Sequence, residues 1–520
     1  MIPNWLEDHV SQLPALQLLL NMGYLYLPPT EADRVRGGRK SNVLLEPILR
    51  ERLAAINSIS RRGEVYAFSE TNLDAAVRAV RELPMQEGFI SANRHLYDLL
   101  TTGKTLEQRI DGDKKSHTLH FIDWENVENN AFHVTEEFPV TRTGRSDTYR
   151  PDVVLFVNGI PLVVIECKSS ALSGTTPPVD LAVEQHIRNF KDDGIRGLYV
   201  YSALLLSLAV NAAKYGTTGT SKEFWSVWKE KYAEKVDENL HSTRVRALKN
   251  TALTRVQNNG LYDERTQGFH YARRYFEELE NSVRPVTEQD ELLHGLCRPE
   301  RLLDIIRNFT LYDGGEKKVA RYQQYFAVKD AITRVTARKP DGSRKGGVVW
   351  HTQGSGKSLT MVMLAQLLAN HPEITNPRII LVTDRVDLDD QIADTFKKCK
   401  QERVQARTGS HLAALLEGEG DEIITTIINK FEAAVKVIKK PLTNDNIFVL
   451  IDEGHRTQYG TFNVAMQRVF PRASFIAFTG TPLMKSEKST AEKFGGYIGR
   501  PYTVKDAVAD GAVVPLLYEG

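Results

Sequence analysis

The stretch RPDVVLFVNGIPLVVIECKSS, residues 150–170, carries an aspartate, a glutamate and a lysine at a spacing that can bring all three together. Two β-branched runs flank Asn158-Gly159, a pair that adopts positive φ readily and so suits a tight hairpin turn. Side chains alternate faces along a strand, so Glu166 and Lys168 are expected to point one way and Cys167 the other. Antiparallel pairing then brings Asp152, at the start of the first strand, close to Glu166. Two converging carboxylates bind a hard divalent cation, and a neighbouring ammonium can orient a hydroxide or stabilise a pentacovalent phosphate. The bland alternative is a surface hairpin closed by a Glu166–Lys168 ion pair, which the E-x-K spacing alone favours. Against it stand the aspartate a hairpin's length upstream and a run too apolar for an exposed ribbon.

A second group of residues has the chemistry of nucleotide phosphates. In GGVVWHTQGSGKSLTMVMLAQLLA a glycine-rich turn follows an apolar run and opens directly into an apolar helix. Gln353, Gly354, Ser355 and Gly356 form the turn, whose backbone N–H groups can approach a phosphate closely. Lys357 reaches the outer phosphates and Ser358 offers its hydroxyl to Mg²⁺. His351 stands where a strict phosphate loop has its first glycine. Farther on, NIFVLIDEGHRTQYG ends an apolar run with Asp452 and Glu453, placed to hold Mg²⁺ through its water shell and to polarise an attacking water. ATP and Mg²⁺ are the expected cofactors.

The elements that position these residues can be read from periodicity. A chain of 520 residues is too long for one core, so several domains are expected. Helical patterns run from Trp5 to Met22 and through TNLDAAVRAVREL, where Thr71 or Asn72 is the expected cap. HTLHFID, FHVTEEFPV, DVVLFV, PLVVIE and GLYVYS read as strands of a small mixed sheet. Segments such as EFWSVWKEKYAEKVDENL and ERLLDIIRNFTLY read as bridging helices between that sheet and a second domain. After the turn-rich PDGSRKGG come four apolar runs, GGVVW, RIILVT, NIFVLID and SFIAFT, each without polar alternation. Such runs are strands buried on both faces of a parallel sheet, so the fold class is α/β.

Composition excludes less. The 67 Lys and Arg against 66 Asp and Glu give a net charge of +1, so any DNA-binding face must come from local clustering. Cys167, Cys297 and Cys399 are scattered, which argues against a zinc site or a disulfide framework and fits a reducing cytosol. MIPNWLEDHV lacks the features of a signal peptide, and LYVYSALLLSLAV is too short to span a bilayer, so a cytoplasmic protein with no membrane partner is expected.

GSGKS, DEGH (Asp452 to His455) and FTGTP (Phe478 to Pro482) resemble motifs I, II and III of superfamily 2 helicases and translocases, with Gly454 where many members have alanine. That resemblance implies a RecA-like lobe in which His455, Thr479 and Thr481 couple ATP hydrolysis to movement on nucleic acid. VTDRVDLDDQ and TTIINKF resemble motifs Ia and Ib, which makes Arg385, Thr425 and Lys430 candidate DNA contacts. RYQQYFAV resembles the adenine-reading Q motif, with Gln324 as the adenine contact or, equally, an ordinary helix-start glutamine.

In this order the features of the whole chain resemble the restriction (motor) subunit of Type I restriction-modification enzymes. The resemblance implies a PD-(D/E)xK nuclease domain over residues 1–220, a mainly helical connector over 221–310 and the first RecA-like lobe over 311–520. It implies an endonuclease with core Asp152, Glu166 and Lys168 that cuts double-stranded DNA after ATP-driven translocation, with methyltransferase and specificity subunits as partners. The family often adds Q-x-x-x-Y on the next helix; Gln185 matches, but Asn189 stands at the tyrosine position, with Phe190 one later. Glu7 is a further candidate acid. The chain stops at PLLYEG, soon after motif III, so it is expected to be the amino-terminal part of a roughly two-fold longer subunit. Without a second lobe it should bind ATP yet hydrolyse it feebly, translocate nothing and rarely cut. Two other readings stay open: an ATP-dependent helicase-nuclease of DNA repair or phage defence outside Type I systems, and a motor whose first 220 residues form a non-cutting DNA clamp.

Overall fold

The structure, a computed structural model, describes residues 6–230, 235–263, 269–279, 282–383, 403–418, 423–452, 465–480 and 494–513. The chain forms two compact units, one of residues 1–310 with 314–319 and one of residues 311–313 with 320–520.

The first unit is built on a six-stranded mixed sheet whose spatial order follows the chain: β1 (Leu25–Tyr26), β2 (Phe132–Glu136), β3 (Val153–Val157), β4 (Ile160–Cys167), β5 (Leu204–Leu208) and β6 (Ala213–Gly216). β1 with β2 and β4 with β5 run parallel, and the other pairs are antiparallel. Every residue of β3, β4 and β5 is buried. Each fully buried aliphatic side chain there stabilises the fold by roughly 1.5–3 kcal/mol. A π-helical turn, Asp8–Gln12, leads into α1 (Leu13–Asn21), and α2 (Pro178–Asn189) packs on β4 and β5. Proline suits the start of α2, and Asp180 in its first turn and Arg188 in its last turn suit the helix dipole.

The β3–β4 hairpin turns at Asn158 (φ 51°) and Gly159 (φ 81°). A Cβ on Gly159 would meet the Leu45 carbonyl oxygen at 2.6 Å. From the turn, Ile160 opposes Val157 and Pro161 opposes Phe156; past an extra residue at Leu162, Val163 opposes Leu155 and Ile165 opposes Val153. The next step of that register sets Glu166 against Asp152. Without the bulge Asp152 would stand opposite Ile165, on the other face of the sheet from Glu166. Pro161, which has no N–H to give the ladder, marks the place.

Several expected elements differ. GLYVYS is not a strand: α3 (Arg196–Tyr199) occupies it, and the strand follows as β5. A short apolar run has no periodicity to separate strand from helix, and Leu198 and Tyr199 are fully buried either way. The strand in HTLHFID, Asp113–Leu119, pairs with Lys104–Ile110 in a separate ribbon. The helix Glu70–Arg81 is capped by Ser69, whose hydroxyl accepts the Asn72 N–H at 3.3 Å, rather than by Thr71 or Asn72. Described parts of 221–310 include the helices Lys235–Asn250, Arg255–Leu261, Arg273–Leu279, Glu288–Cys297 and Pro299–Asn308, all in the first unit. They are tied to its start by Gln289, which accepts from the Ser11 hydroxyl at 2.7 Å and donates to the Ser11 carbonyl at 2.8 Å.

In the second unit α4 (Tyr322–Thr336) precedes a parallel sheet of β7 (Gly347–Trp350), β8 (Arg378–Thr383), β9 (Arg403–Gln405), β10 (Ile423–Ile427), β11 (Ile447–Ile451) and β12 (Ser474–Thr479). Their order is β7-β12-β11-β8-β10-β9, and every pair is parallel. The four apolar runs are β7, β8, β11 and β12. β9 and β10 are additional. α5 (Lys357–Ala369) follows β7. No described helix is long and apolar enough to cross a membrane.

Asn158 is fully buried, donates to the Phe121 carbonyl at 2.9 Å and to Asn130 Oδ1 at 2.8 Å, and accepts the Ala131 N–H at 2.8 Å. Asn158→Ala, which orphans these groups and keeps a positive φ, should cost about 2–4 kcal/mol in urea unfolding of the first unit.

Candidate functional site

The end of β4 and the entry to β3 place Asp152, Glu166 and Lys168 together. Asp152 and Glu166 are both buried, and their carboxyl groups are close enough for each to perturb the other. The Cys167 N–H donates to Asp152 Oδ2 at 2.6 Å, which fixes that carboxyl against the end of β4. Lys168 Nζ lies 3.6 Å from Asp152 Oδ2 and 3.4 Å from Glu7 Oε1, and donates to the Cys167 carbonyl at 2.5 Å. The expected alternation holds for Glu166, which meets α2, and for Cys167, which packs toward Ser11. Lys168 lies one residue past the strand, and its direction is set by the two acids it reaches.

Gln185 Nε2 donates to Glu166 Oε2 at 2.5 Å, and Asn189 Nδ2 donates to Oε1 at 3.1 Å. These residues, one helical turn apart, hold both oxygens of one carboxylate. The buried Tyr199 hydroxyl, from α3, stands 2.8 Å from His186 Nδ1 and accepts from Asn189 at 3.4 Å. His186 is also 2.9 Å from the Leu206 carbonyl, and burial lowers its pKa to about 3, so the ring is neutral. Gln12 Nε2 donates to the Asp152 carbonyl at 2.9 Å. Asn189, Tyr199 and Gln12 escaped the sequence reading; only the spacing from Gln185 pointed to Asn189.

Burial, and then the Asp152 charge, push Glu166 well above the usual carboxylate range. Burial also raises Asp152, against the pull of Lys168 and the Cys167 amide, and raises Glu7. For Lys168 burial works toward a lower pKa, but Asp152, Glu7 and Glu166 outweigh it and raise it, so it stays an ammonium. Two carboxyls in contact share a proton unless a cation compensates them. Among the described residues no group of three His, Cys, Asp or Glu side chains converges as a metal site. Asp152 and Glu166 therefore form a two-carboxylate, all-oxygen donor set. That set fits a magnesium-like ion, which keeps waters and takes substrate phosphates.

In the second unit the phosphate-loop residues, Asp452 and Thr479 all follow or end neighbouring parallel strands at their carboxyl ends, β7, β11 and β12. Gly354 (φ 80°) and Gly356 (φ 84°) take left-handed conformations, and Gly356 caps α5. The Ser355 hydroxyl donates to the Thr352 carbonyl at 2.6 Å. Lys357 Nζ would lie 2.8 Å from a Cβ on Gly480, so its ammonium reaches back over the strand end. Gln353 is exposed and Ser358 half-buried in the first turn of α5. His351 is buried between strand and loop, its N–H bonded to the Thr479 carbonyl at 3.0 Å, and burial beside Lys357 lowers its pKa to about 3.

Gln324 accepts the Arg321 N–H at 2.8 Å and donates to the Gly356 carbonyl at 3.1 Å. Both ends of its amide thus brace the helix start and the loop. Tyr322 and Tyr502 donate to the same oxygen of Asp510 at 2.5 and 2.9 Å, and the Thr352 N–H donates to the Tyr502 carbonyl at 2.9 Å. No local sequence signal revealed that long-range support. Thr425 is fully buried within β10, out of reach of a nucleic-acid strand in this arrangement, and Lys430 donates to the Ala406 carbonyl at 3.0 Å. Arg385, Glu453, His455 and Thr481 lie outside the described residues.

Sequence comparison relates both units to known families. Residues 4–224 match the family described as Type I restriction enzyme R protein N terminus, and residues 323–520 match SWI2/SNF2 ATPase. The Type I restriction enzyme HindI endonuclease subunit of Haemophilus influenzae is 32% identical over 99% of this chain and 46% of its own length. Over nearly all of its length the chain is similar to a Type I restriction endonuclease subunit.

A second relative, the SauCOLORF180P endonuclease subunit of Staphylococcus aureus, is 26% identical over 77% of this chain and 38% of its own. The chain spans less than half the length of these relatives. Among solved structures, a nuclease-deletion mutant of the Type ISP enzyme LlaGI in complex with a DNA substrate mimic matches at 14% identity and TM-score 0.28, covering 37% of this chain and 20% of that one. The Pyrococcus furiosus Hef helicase domain matches at 17% and 0.27, covering 35% and 37%. The two family profiles fall on the two units that carry the two residue groups above.

Because the folded form holds the Asp152 and Glu166 protons above the usual range, carboxyl-dependent stability is full at low pH and is lost as pH rises from that range through the raised values. In chelator, Asp152→Asn should therefore melt above wild type at pH 8 and level with it near pH 4; added Mn²⁺ should raise the melting temperature of wild type only. Gly356→Ala would put a Cβ 2.4 Å from Gln324 Nε2 at a left-handed φ, so it should weaken ATP binding by tenfold or more in a fluorescent-nucleotide titration.

Proposed function

We propose that this chain carries the nuclease and the first motor lobe of an ATP-dependent DNA translocase and endonuclease, cutting double-stranded DNA within a Type I restriction enzyme. The observation that carries this reading is the contact of two buried carboxyls, Asp152 and Glu166, beside the ammonium of Lys168. Such a pair is costly to the fold and has no packing rationale, but it suits a divalent cation and a phosphodiester.

Asp152 and Glu166 hold the nuclease Mg²⁺, whose chemistry when bound is to neutralise charge on the scissile phosphate and make water more acidic. Gln185 orients Glu166 through the 2.5 Å hydrogen bond to Oε2. Lys168 positions the attacking water or stabilises the pentacovalent phosphate, and Asp152 and then Glu7 keep it charged. In the motor, the backbone from Gln353 to Ser358 cradles ATP phosphates and Lys357 neutralises the outer ones. Ser358 and Asp452 are the residues for the second Mg²⁺, and Glu453 for the hydrolytic water. Gln324 reaches the nucleotide by bracing the loop at Gly356. His455, Thr479 and Thr481 couple hydrolysis to movement, and Arg385 and Lys430 contact the strand. Residues 221–310 join the two activities, and methyltransferase and specificity subunits supply anchorage on DNA.

In the enzyme assembled with its partner subunits, Lys168→Ala should lower cleavage by about 10²–10³-fold with ATP hydrolysis unchanged. Lys357→Ala should abolish ATP hydrolysis and, with it, cleavage. A Lys168→Ala enzyme that cuts as fast as wild type would make the first unit a DNA clamp and refute the nuclease assignment.

A further inference from the structure

The last turn of α2 holds a cation that neither the motif reading nor the mechanism uses. Arg188 stands between Glu184 and Asn189 on the same helix and is exposed at the rim of the Asp152–Glu166 site. Its Nε and one terminal nitrogen donate to Asn189 Oδ1 at 3.1 and 3.0 Å. Asn189 in turn holds Glu166 Oε1, so the guanidinium is one side chain removed from the candidate metal ligand. Its other support is the Tyr149 ring, whose centroid lies 4.4 Å from the Arg188 guanidinium carbon. Tyr149 ends the short strand Thr148–Tyr149, directly before Arg150, Pro151 and Asp152. Arg188 is thus fixed from both sides of the site, by the helix that holds Glu166 and by the strand that leads to Asp152.

A second arginine shows by contrast what is unusual. The Arg142 guanidinium also lies 4.4 Å from the Tyr149 ring, but its side chain is only 10% exposed and is neutralised by Asp147 at 3.0 Å and Asp193 at 2.7 Å. Arg142 pins the ribbon of Val140–Thr141 and Thr148–Tyr149. Arg188 makes no ion pair with any described residue, although its charge reaches Glu166 and acts to lower that carboxyl's pKa. The Glu166 oxygens accept instead from Gln185 and Asn189. Holding a long cation still costs rotamer entropy, and no carboxylate offsets it here. An ordered guanidinium with only two N–H groups engaged, facing solvent beside a two-carboxylate site, is matched in geometry and charge by a phosphodiester, which takes two parallel N–H···O bonds.

We propose that Arg188 is a DNA-phosphate-binding residue of the nuclease site, clamping a backbone phosphate next to the one that is cut. The proposal rests on the reading of Asp152 and Glu166 as a DNA-cutting site, and adds the residue that seats the strand there. Lysine could supply the charge but not the fork, so Arg188→Lys should be intermediate.

The test uses the 520-residue chain in chelator with a fluorescent 30-base-pair duplex, following anisotropy across a salt series. Arg188→Ala should weaken binding about tenfold and reduce the slope of log affinity against log salt by about 0.9, the loss of one phosphate contact. Arg188→Lys should keep the slope with a smaller loss of affinity. Mn²⁺ affinity, from tryptophan fluorescence, should stay within about twofold of wild type in both. If Arg188→Ala binds the duplex with wild-type affinity and slope, the proposal fails. It also fails if Arg188→Ala loses Mn²⁺ binding, since the residue then only props Asn189 and Glu166. Either failure is separate from that of the nuclease reading, which Asp152→Ala reports through cleavage by the assembled enzyme.

Discussion

Asp152 and Glu166 meet across an antiparallel pair whose register has been moved by one residue at Leu162. That displacement is the constraint on which the meeting of the two carboxyls depends. A two-residue turn at Asn158-Gly159 alone would leave the carboxyls on opposite faces. The bulge puts them on the same face, and burial then makes their contact unfavourable. The surrounding side chains hold this arrangement in place. The Cys167 amide holds Asp152, Gln185 and Asn189 hold Glu166, and Lys168 spans Asp152 and Glu7. The buried apolar side chains of β3, β4 and β5 supply the burial energy that tolerates it.

The second unit obeys a different rule. Its sheet is wholly parallel, so every strand delivers its carboxyl end to one edge, and the residues just past the strands collect there without any register adjustment. Here the exacting feature is local backbone conformation. Gly356 is left-handed and pressed by Gln324, and the loop is braced from Thr352 to Tyr502. Gln324 was open to two readings, an adenine contact or a helix-start residue. In the structure its amide caps α4 and supports the loop together, so the side chain is tied to the glycine-rich loop through the backbone of Gly356.

The errors of sequence reading are instructive because each has a local cause. GLYVYS and the LLLSL after it are both apolar, and only packing reveals that the first is helix and the second strand. Thr425 has a polar side chain in a motif-like stretch, but it sits inside a strand paired on both sides, where an interior threonine cannot leave. In α2 the position four after Gln185 holds Asn189 in place of a tyrosine. The spacing could not show that Tyr199, from another helix, brings a hydroxyl to Asn189.

By itself the sequence determined the residue types and their order along the chain: the acid pair and lysine around one hairpin, the glycine-rich turn before an apolar helix, and the unbroken apolar runs of a parallel sheet. These depend on local backbone preference and on side-chain periodicity, which a segment carries when its pattern is long or punctuated enough to read. Only the tertiary structure decided which atoms meet. The bulge at Leu162, the hold of Asn189 on Glu166 and the seat of Arg188 on Tyr149 all join residues distant in the chain. Such contacts arise from how separately folded elements pack, and no single segment carries that information.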